Sequence, residues 1–182
     1  METRDRRTDE EIVEVVRNRD QELYREIVLR YEQKLRRYAM VFVRDADRAE
    51  DVVQNALIKA FINLHSFNTK KKFSSWLYRI THNEAINYIK KHKREISIDD
   101  APEIMQIVDG REGPVEEMER EEVRKSLREK MDQLPHLYRE AFELYYIEER
   151  SYDEICDILR LPMGTVGTRI ARGRALLKKL FQ

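Results

Sequence analysis

The 182-residue chain is poor in the residues that cross-link, bend or interrupt a polypeptide: one cysteine (Cys156), five glycines and four prolines. A single cysteine excludes a disulfide framework within the chain and fits a reducing cytoplasm. With 38% of the residues charged and so few glycines and prolines, a turn-rich β architecture is disfavoured and helices are expected. No apolar run approaches the ~20 residues that a membrane helix needs; Tyr38 to Val43 is among the longest. Met1 to Asp9 is charged and no signal-peptide apolar core follows it, so export is not expected. An excess of one charge sign is also missing, because 35 basic groups meet 35 acidic ones. A neutral total argues against a nucleic-acid partner only if the charges are evenly spread.

They are not. Residues 1–69 carry 13 basic and 14 acidic groups, a net of −1. Residues 70–94 hold eight basic groups against Glu84 alone, net +7, and residues 95–122 hold two against eleven acids, net −9. Residues 123–159 come to −3, and residues 160–182 have six basic groups and no acid, net +6. Charge acts locally, within a Debye length of ~8–10 Å, so two basic blocks separated by an acidic one are two candidate phosphate-binding surfaces. The acidic stretch also contains Pro102, Gly110, Gly113 and Pro114 and has weak periodicity, which marks a flexible linker. At ~150 residues per domain the length allows one or two domains. The expected division is 1–95, an acidic linker over 96–122, and 123–182.

Helical periodicity dominates both ends, and no segment alternates with period two. Thr8 with Glu11 forms a capping-box pattern that opens a first helix. A second runs from about Asp20 to Val43, with Leu23, Ile27, Tyr31, Leu35, Tyr38 and Phe42 on one stripe. Asp47 with Glu50 is the expected cap of a third, which buries Val52, Val53, Ala56, Leu57, Ala60, Phe61 and Leu64. Ser74 or Ser75 is the expected cap of a fourth, whose inner stripe is Trp76, Leu77, Ile80, Ala85, Tyr88 and Ile89. After the linker, one helix (Val123, Leu127, Met131, Leu134) ends near Pro135 and another carries Leu137, Ala141, Phe142, Leu144, Tyr145 and Ile147. The fold class is all-α: two small helical domains joined by an acidic flexible linker, the second with a helix-turn-helix.

That motif lies at residues 151–174. Ser151 with Glu154 opens a short helix, Leu161 to Gly164 makes a tight turn, and Ile155, Leu159, Val166 and Ile170 pin the two helices together. Thr165, Gly167, Thr168, Arg169 and Arg172 are then expected to face outward, where hydroxyls suit phosphates and arginine suits guanine in a major groove. The competing interpretation is a solvated basic helix of a bundle, which leaves the turn and the acid-free charge unexplained. In the first domain, Arg79, Asn83, Asn87, Lys90 and Arg94 recur on one helical face. Before them, Phe67 to Ser75 interleaves aromatic residues with Lys70, Lys71 and Lys72. Phe73 and Trp76 either stack on unpaired bases or belong to the core; the lysines either hold phosphates or only solvate a loop. A duplex reader and a single-strand reader on one chain suit a protein that recognises DNA while it is being opened.

The run from Asp45 to Phe61, followed by Phe73-Ser74-Ser75-Trp76-Leu77-Tyr78-Arg79-Ile80-Thr81-His82-Asn83, resembles the first domain of extracytoplasmic-function sigma factors. The turn Pro162-Met163-Gly164-Thr165-Val166 and its helix resemble their second domain. The resemblance covers nearly the whole chain in order and leaves the linker unmatched. It implies a bacterial transcription initiation subunit that binds core RNA polymerase, recognises −35 and −10 promoter elements and assists melting. By the same resemblance, Asp47, Glu50, Asp51, Gln54, Asn55 and Lys59 dock on the polymerase clamp. Lys70, Lys71, Lys72, Phe73, Trp76, Arg79, Asn83, Asn87 and Lys90 take the single-stranded −10 element, and the last helix reads the −35 duplex. An anti-sigma factor is a further possible partner. The chain departs from the family pattern at Asn55, where glutamate is usual, at Gly167, where a basic residue is common, and at Arg160, where glycine is frequent. If Arg160 takes a positive φ, its side chain costs roughly 1 kcal/mol.

Three other classes compete. A stand-alone helix-turn-helix regulator accounts for the C-terminal motif but for neither the basic loop nor the acidic linker. A metal-dependent nuclease built on His82, Glu84 and His92 fails on spacing, since His82 and Glu84 do not share a helix face. A purely structural helical adaptor leaves the basic faces without a role. No catalytic residue, metal or cofactor is expected.

Overall fold

The computed structural model describes residues 7–92 and 126–181. Those residues form helices joined by short turns, with no strand among them. Helix α1 (Asp9–Asn18) opens on the expected capping box: Thr8 Oγ1 accepts from the Glu11 N–H, and Glu11 in turn accepts from the Thr8 N–H. A 3₁₀ turn (Gln21–Leu23), capped by Asp20, leads into α2 (Tyr24–Val43), so the second helix starts four residues later than its apolar stripe suggested. Arg44 ends α2 in the left-handed region at φ 53°, its N–H bonded back to Met40.

Two expected caps fall elsewhere. Helix α3 (Ala46–Ile62) is capped by Asp45, whose carboxylate accepts from the Arg48 N–H at 2.9 Å, so Asp47 lies inside the first turn and faces solvent. Helix α4 (Phe73–Lys91) starts before Ser74 and Ser75, which are buried, and its cap residue Lys72 supplies no side-chain acceptor.

In the C-terminal part, residues 126–132 form α5 and Pro135 precedes α6 (His136–Phe142). The start of the expected helix at Val123, like the acidic stretch before it and Arg94, lies outside the described residues. Helix α6 widens into a π turn over Glu143–Ile147, and Leu137 and Ile147 are exposed rather than inside. Ser151 and Glu154 form the second capping box, at the start of α7 (Tyr152–Leu159). Arg160 closes α7 at φ 57°, and α8 (Met163–Leu180) follows directly, so Met163 and Gly164 are already helical.

The N-terminal domain packs α1, α2, α3 and α4 around Ile12, Ile27, Leu35, Val52, Ala56, Phe73 and Leu77. Each fully enclosed Ile, Leu or Phe side chain among them contributes ~1.5–3 kcal/mol by burial. In the C-terminal domain Ile155, Ile158, Leu159, Val166 and Ile170 join α7 to α8 as the motif required. Gly173 lets α8 cross α6 closely: a Cβ there would lie 3.2 Å from the Tyr138 carbonyl oxygen. A smaller cluster of Met131, Leu134, Phe142 and Leu177 fastens α5 to this domain.

The two domains also touch. Helix α4 lies against α7 and α2 against α6, and the main hydrophobic cluster runs from Tyr38 and Tyr78 on one side to Leu144, Ile155 and Ile158 on the other.

Candidate nucleic-acid interface

The loop before α4 is built on an aromatic base. Phe67 and Phe73 are 4% and 0% exposed, and Trp76 packs on both, with ring centroids 5.3 and 5.6 Å apart. Phe73 is therefore core and not a stacking surface for a base; it also meets Tyr31 edge-on at 6.3 Å. Trp76 keeps a partly open edge. Above this base, Asn68 holds a short turn: its side chain accepts from the Lys70 N–H at 3.0 Å and its carbonyl from the Lys71 N–H at 2.9 Å. Lys70, Lys71 and Lys72 project into solvent from that turn, Lys72 with its ammonium 3.3 Å from Glu154.

Along α4 the expected polar face exists in part. Asn83, Asn87 and Lys90 are exposed, whereas Arg79 is half-buried against α7. Burial, then the neighbouring Arg160 guanidinium, lower the Arg79 pKa.

On α8, Thr165, Thr168 and Arg172 are exposed and share one face. The Thr168 hydroxyl is engaged with the Gly164 carbonyl at 2.7 Å. A Cβ on Gly167 would lie 3.4 Å from the Tyr152 ring, an ordinary van der Waals contact, so packing does not require glycine here. Arg169 differs from expectation. It turns inward, its Nη1 2.8 Å from Glu140 Oε1 on α6, with only 18% of its side chain exposed. The reason is that Glu140 is itself 4% exposed and needs a cation.

The third surface lies on α3. Asp47, Glu50, Asp51, Gln54, Asn55 and Lys59 are all exposed. Lys59 pairs with Glu84 of α4 at 2.7 Å, and Glu50 lies 3.3 Å from Gln54 and 3.8 Å from Arg36. Ile58 and Ile62, 57% and 69% exposed, continue this face with apolar side chains.

The polar seam between the domains had no counterpart in the sequence reading. The Glu148 carboxylate, just after the π turn, accepts from Arg37 of α2 at 3.1 Å and from the Tyr78 hydroxyl of α4. Arg150 lies 4.4 Å over the Tyr78 ring and donates to Ser74 Oγ at 3.0 Å. Arg139, 5% exposed, pairs with Asp132 at 2.9 Å and reaches the Met40 carbonyl. Burial pushes Glu140 and Glu143 up to about 7 and holds His82 and His136 down at about 4. Arg37, Tyr78 and Glu148 belong to no apolar stripe within their own segments. Only a partner from the other domain gives them a role.

Among the described residues no group of histidine, cysteine, aspartate or glutamate side chains has a metal-binding arrangement. No described helix is long and apolar enough to cross a membrane.

Comparison with known proteins agrees with this geometry. The sigma-70 region 2 family matches residues 27–95, and sigma-70 region 4 matches residues 124–177. The chain is 36% identical over 174 residues to the ECF RNA polymerase sigma factor SigW of Bacillus subtilis, covering 92% of this chain and 93% of that one. It is also 36% identical over 182 residues to the ECF RNA polymerase sigma-E factor of Escherichia coli, covering 96% and 95%. Among solved structures, the sigma factor RpoE in complex with the anti-sigma factor NepR from Bartonella quintana superposes with a TM-score of 0.69 at 26% identity, over 87% of this chain and 96% of that one. On its fold and its relatives, this chain belongs to the extracytoplasmic-function sigma factors of the sigma-70 family.

Proposed function

We propose that residues 1–95 bind core RNA polymerase and the −10 element, that 123–182 read the −35 element, and that the acidic stretch 96–122 joins them through a basic channel of the polymerase. The observation that carries this is the presence, on one chain, of an exposed lysine turn over an aromatic base and an exposed Thr165–Thr168–Arg172 face on the second helix of a helix-turn-helix. The lysines hold the backbone of an unpaired −10 strand while Asn83, Asn87 and the open edge of Trp76 meet its bases. Thr165, Thr168 and Arg172 enter the −35 major groove, with Gly167 contributing no contact of its own. The α3 face from Asp47 to Lys59 docks on the polymerase clamp, its acids complementing a basic partner surface.

The protein works stoichiometrically, as a binding subunit with no active site, metal or cofactor, and it works in the cytoplasm where the polymerase is. An anti-sigma factor is a fitting partner, since the RpoE relative was solved with one bound. A stand-alone regulator is not favoured.

The test is run-off transcription with bacterial core polymerase and a promoter library. Addition of the protein is expected to yield discrete start sites; no specific initiation overturns the reading. Within that assay, changing Lys70, Lys71 and Lys72 together to Ala is expected to slow promoter opening more than closed-complex formation, and Arg172→Ala to do the reverse. Equal effects on both steps overturn the division of labour.

A further inference from the structure

Helix α1 precedes the segment that matches region 2, yet its side chains reach both ends of the loop that carries the lysines. At the near end, Arg17 donates through Nε to the Leu64 carbonyl at 2.9 Å and through Nη2 to the carbonyls of Leu64 and Phe67. Its guanidinium lies 5.9 Å from the Phe67 ring centroid, and only 11% of the side chain is exposed. At the far end, Glu10 Oε1 accepts from the Phe73 N–H at 2.7 Å. Phe73 is the first residue of α4, a helix whose own cap residue supplies no acceptor. A carboxylate there satisfies one of the free N–H groups and opposes the positive end of the helix dipole.

Glu10 and Arg17 are seven residues apart, two helical turns on one face. The helix carrying them is fixed in turn to α2, because Asp9 accepts from Arg30 at 2.8 Å and from the Tyr31 hydroxyl. Between the two grips the turn at 68–72 is held by the Asn68 bonds and, at Lys72, by the ion pair with Glu154 at 3.3 Å.

The structure assigns α1 the role of a clamp in which Arg17 and Glu10 are positioning residues: they fix the two ends of the Lys70–Lys72 turn so that its ammonium groups meet the opened strand. This rests on the −10 reading given above. Two backbone carbonyls taken by one planar fork need arginine, since the lysine ammonium lacks that geometry.

The test compares Arg17→Ala, Arg17→Lys and Glu10→Gln, with Ile12→Val as a control that removes one methylene from the buried side of the same helix and leaves both the Arg17 and the Glu10 bonds in place. The first readout is the rate of native-state trypsin cleavage after Lys70, Lys71 and Lys72, followed by mass spectrometry. It is expected to rise by about tenfold in Arg17→Ala and several-fold in Glu10→Gln, as local opening becomes easier. Arg17→Lys is expected to fall between, and Ile12→Val to leave the loop cuts unchanged. The second readout is promoter opening by the reconstituted holoenzyme on a duplex selected from a random library by the wild-type protein. Arg17→Ala is expected to slow opening several-fold and leave closed-complex affinity unaltered.

Unchanged loop cleavage in both clamp variants overturns the proposal. So does faster cleavage with normal opening while the triple lysine-to-alanine variant opens slowly. If that triple variant itself opens at the wild-type rate, the −10 reading has failed, and the clamp loses its role in opening with it.

Discussion

Arg160 carries the chain from α7 to α8 in a left-handed conformation that glycine adopts without strain. Arg160→Gly is therefore expected to stabilise the protein by roughly 0.5–1 kcal/mol, read as a higher urea midpoint at unchanged slope. Phe73 and Tyr78 neighbour the lysine turn but belong to the interior, both 0% exposed. Phe73→Ala is expected to cost ~3–5 kcal/mol, seen by thermal unfolding, so any loss of promoter binding it causes follows from lost structure. Single positions divided sharply in how readable they were. Thr8, Glu11, Ser151 and Glu154 could be placed because a cap needs only residues three apart. Arg169 could not, because its carboxylate partner Glu140 stands 29 positions away on another helix.

At the scale of elements, α6 and the turn after it concentrate groups that burial has moved. Glu140 and Glu143 titrate near 7 in the folded chain, above the ordinary carboxylate value. Their folded form holds protons that the unfolded chain releases, so the stability linked to them is present at low pH and lost as pH rises toward 7. His82 and His136 titrate near 4, below the ordinary imidazole value, so the stability linked to them is lost as pH falls from about 6.5 toward 4. The two trends oppose each other between about 4.5 and 6.5. Urea midpoints are expected to form a plateau there, fall on the acid side and drop modestly up to about pH 7. His82→Gln is expected to soften the acid-side fall; an identical acid limb in that variant would contradict this assignment. The helices themselves were legible from their apolar stripes. Their exact starts were legible only where the cap was local: α4 starts under a carboxylate 63 residues upstream, which no window of sequence contains.

For the whole molecule, the seam joins two domains whose sequences pointed to separate units. Glu148 is its centre, shared between Arg37 and Tyr78 from the other domain. Glu148→Gln combined with Tyr78→Phe is expected to weaken the seam by ~1–3 kcal/mol. Small-angle scattering of the free protein would register this as a larger radius of gyration, while each domain keeps its helical circular dichroism. The zero net charge says nothing of this arrangement: it arises because the acidic stretch 95–122 offsets the two basic blocks, while across the seam acids of the second domain answer bases of the first, as Glu154 answers Lys72 and Glu148 answers Arg37. The α3 face, by contrast, looks away from the seam, with Asp47, Asp51, Asn55 and Ile62 in solvent while the domains are packed together. Its exposure sets an order of events. A partner arriving at α3 finds its surface ready, whereas a partner for the α7-facing side of α4, where Arg79 is half-buried, must wait until the seam at Glu148 lets go. On the function proposed above, polymerase capture comes first; the lysine turn and the Thr165–Arg172 face are open throughout, and only contacts made through Arg79 are delayed by the seam.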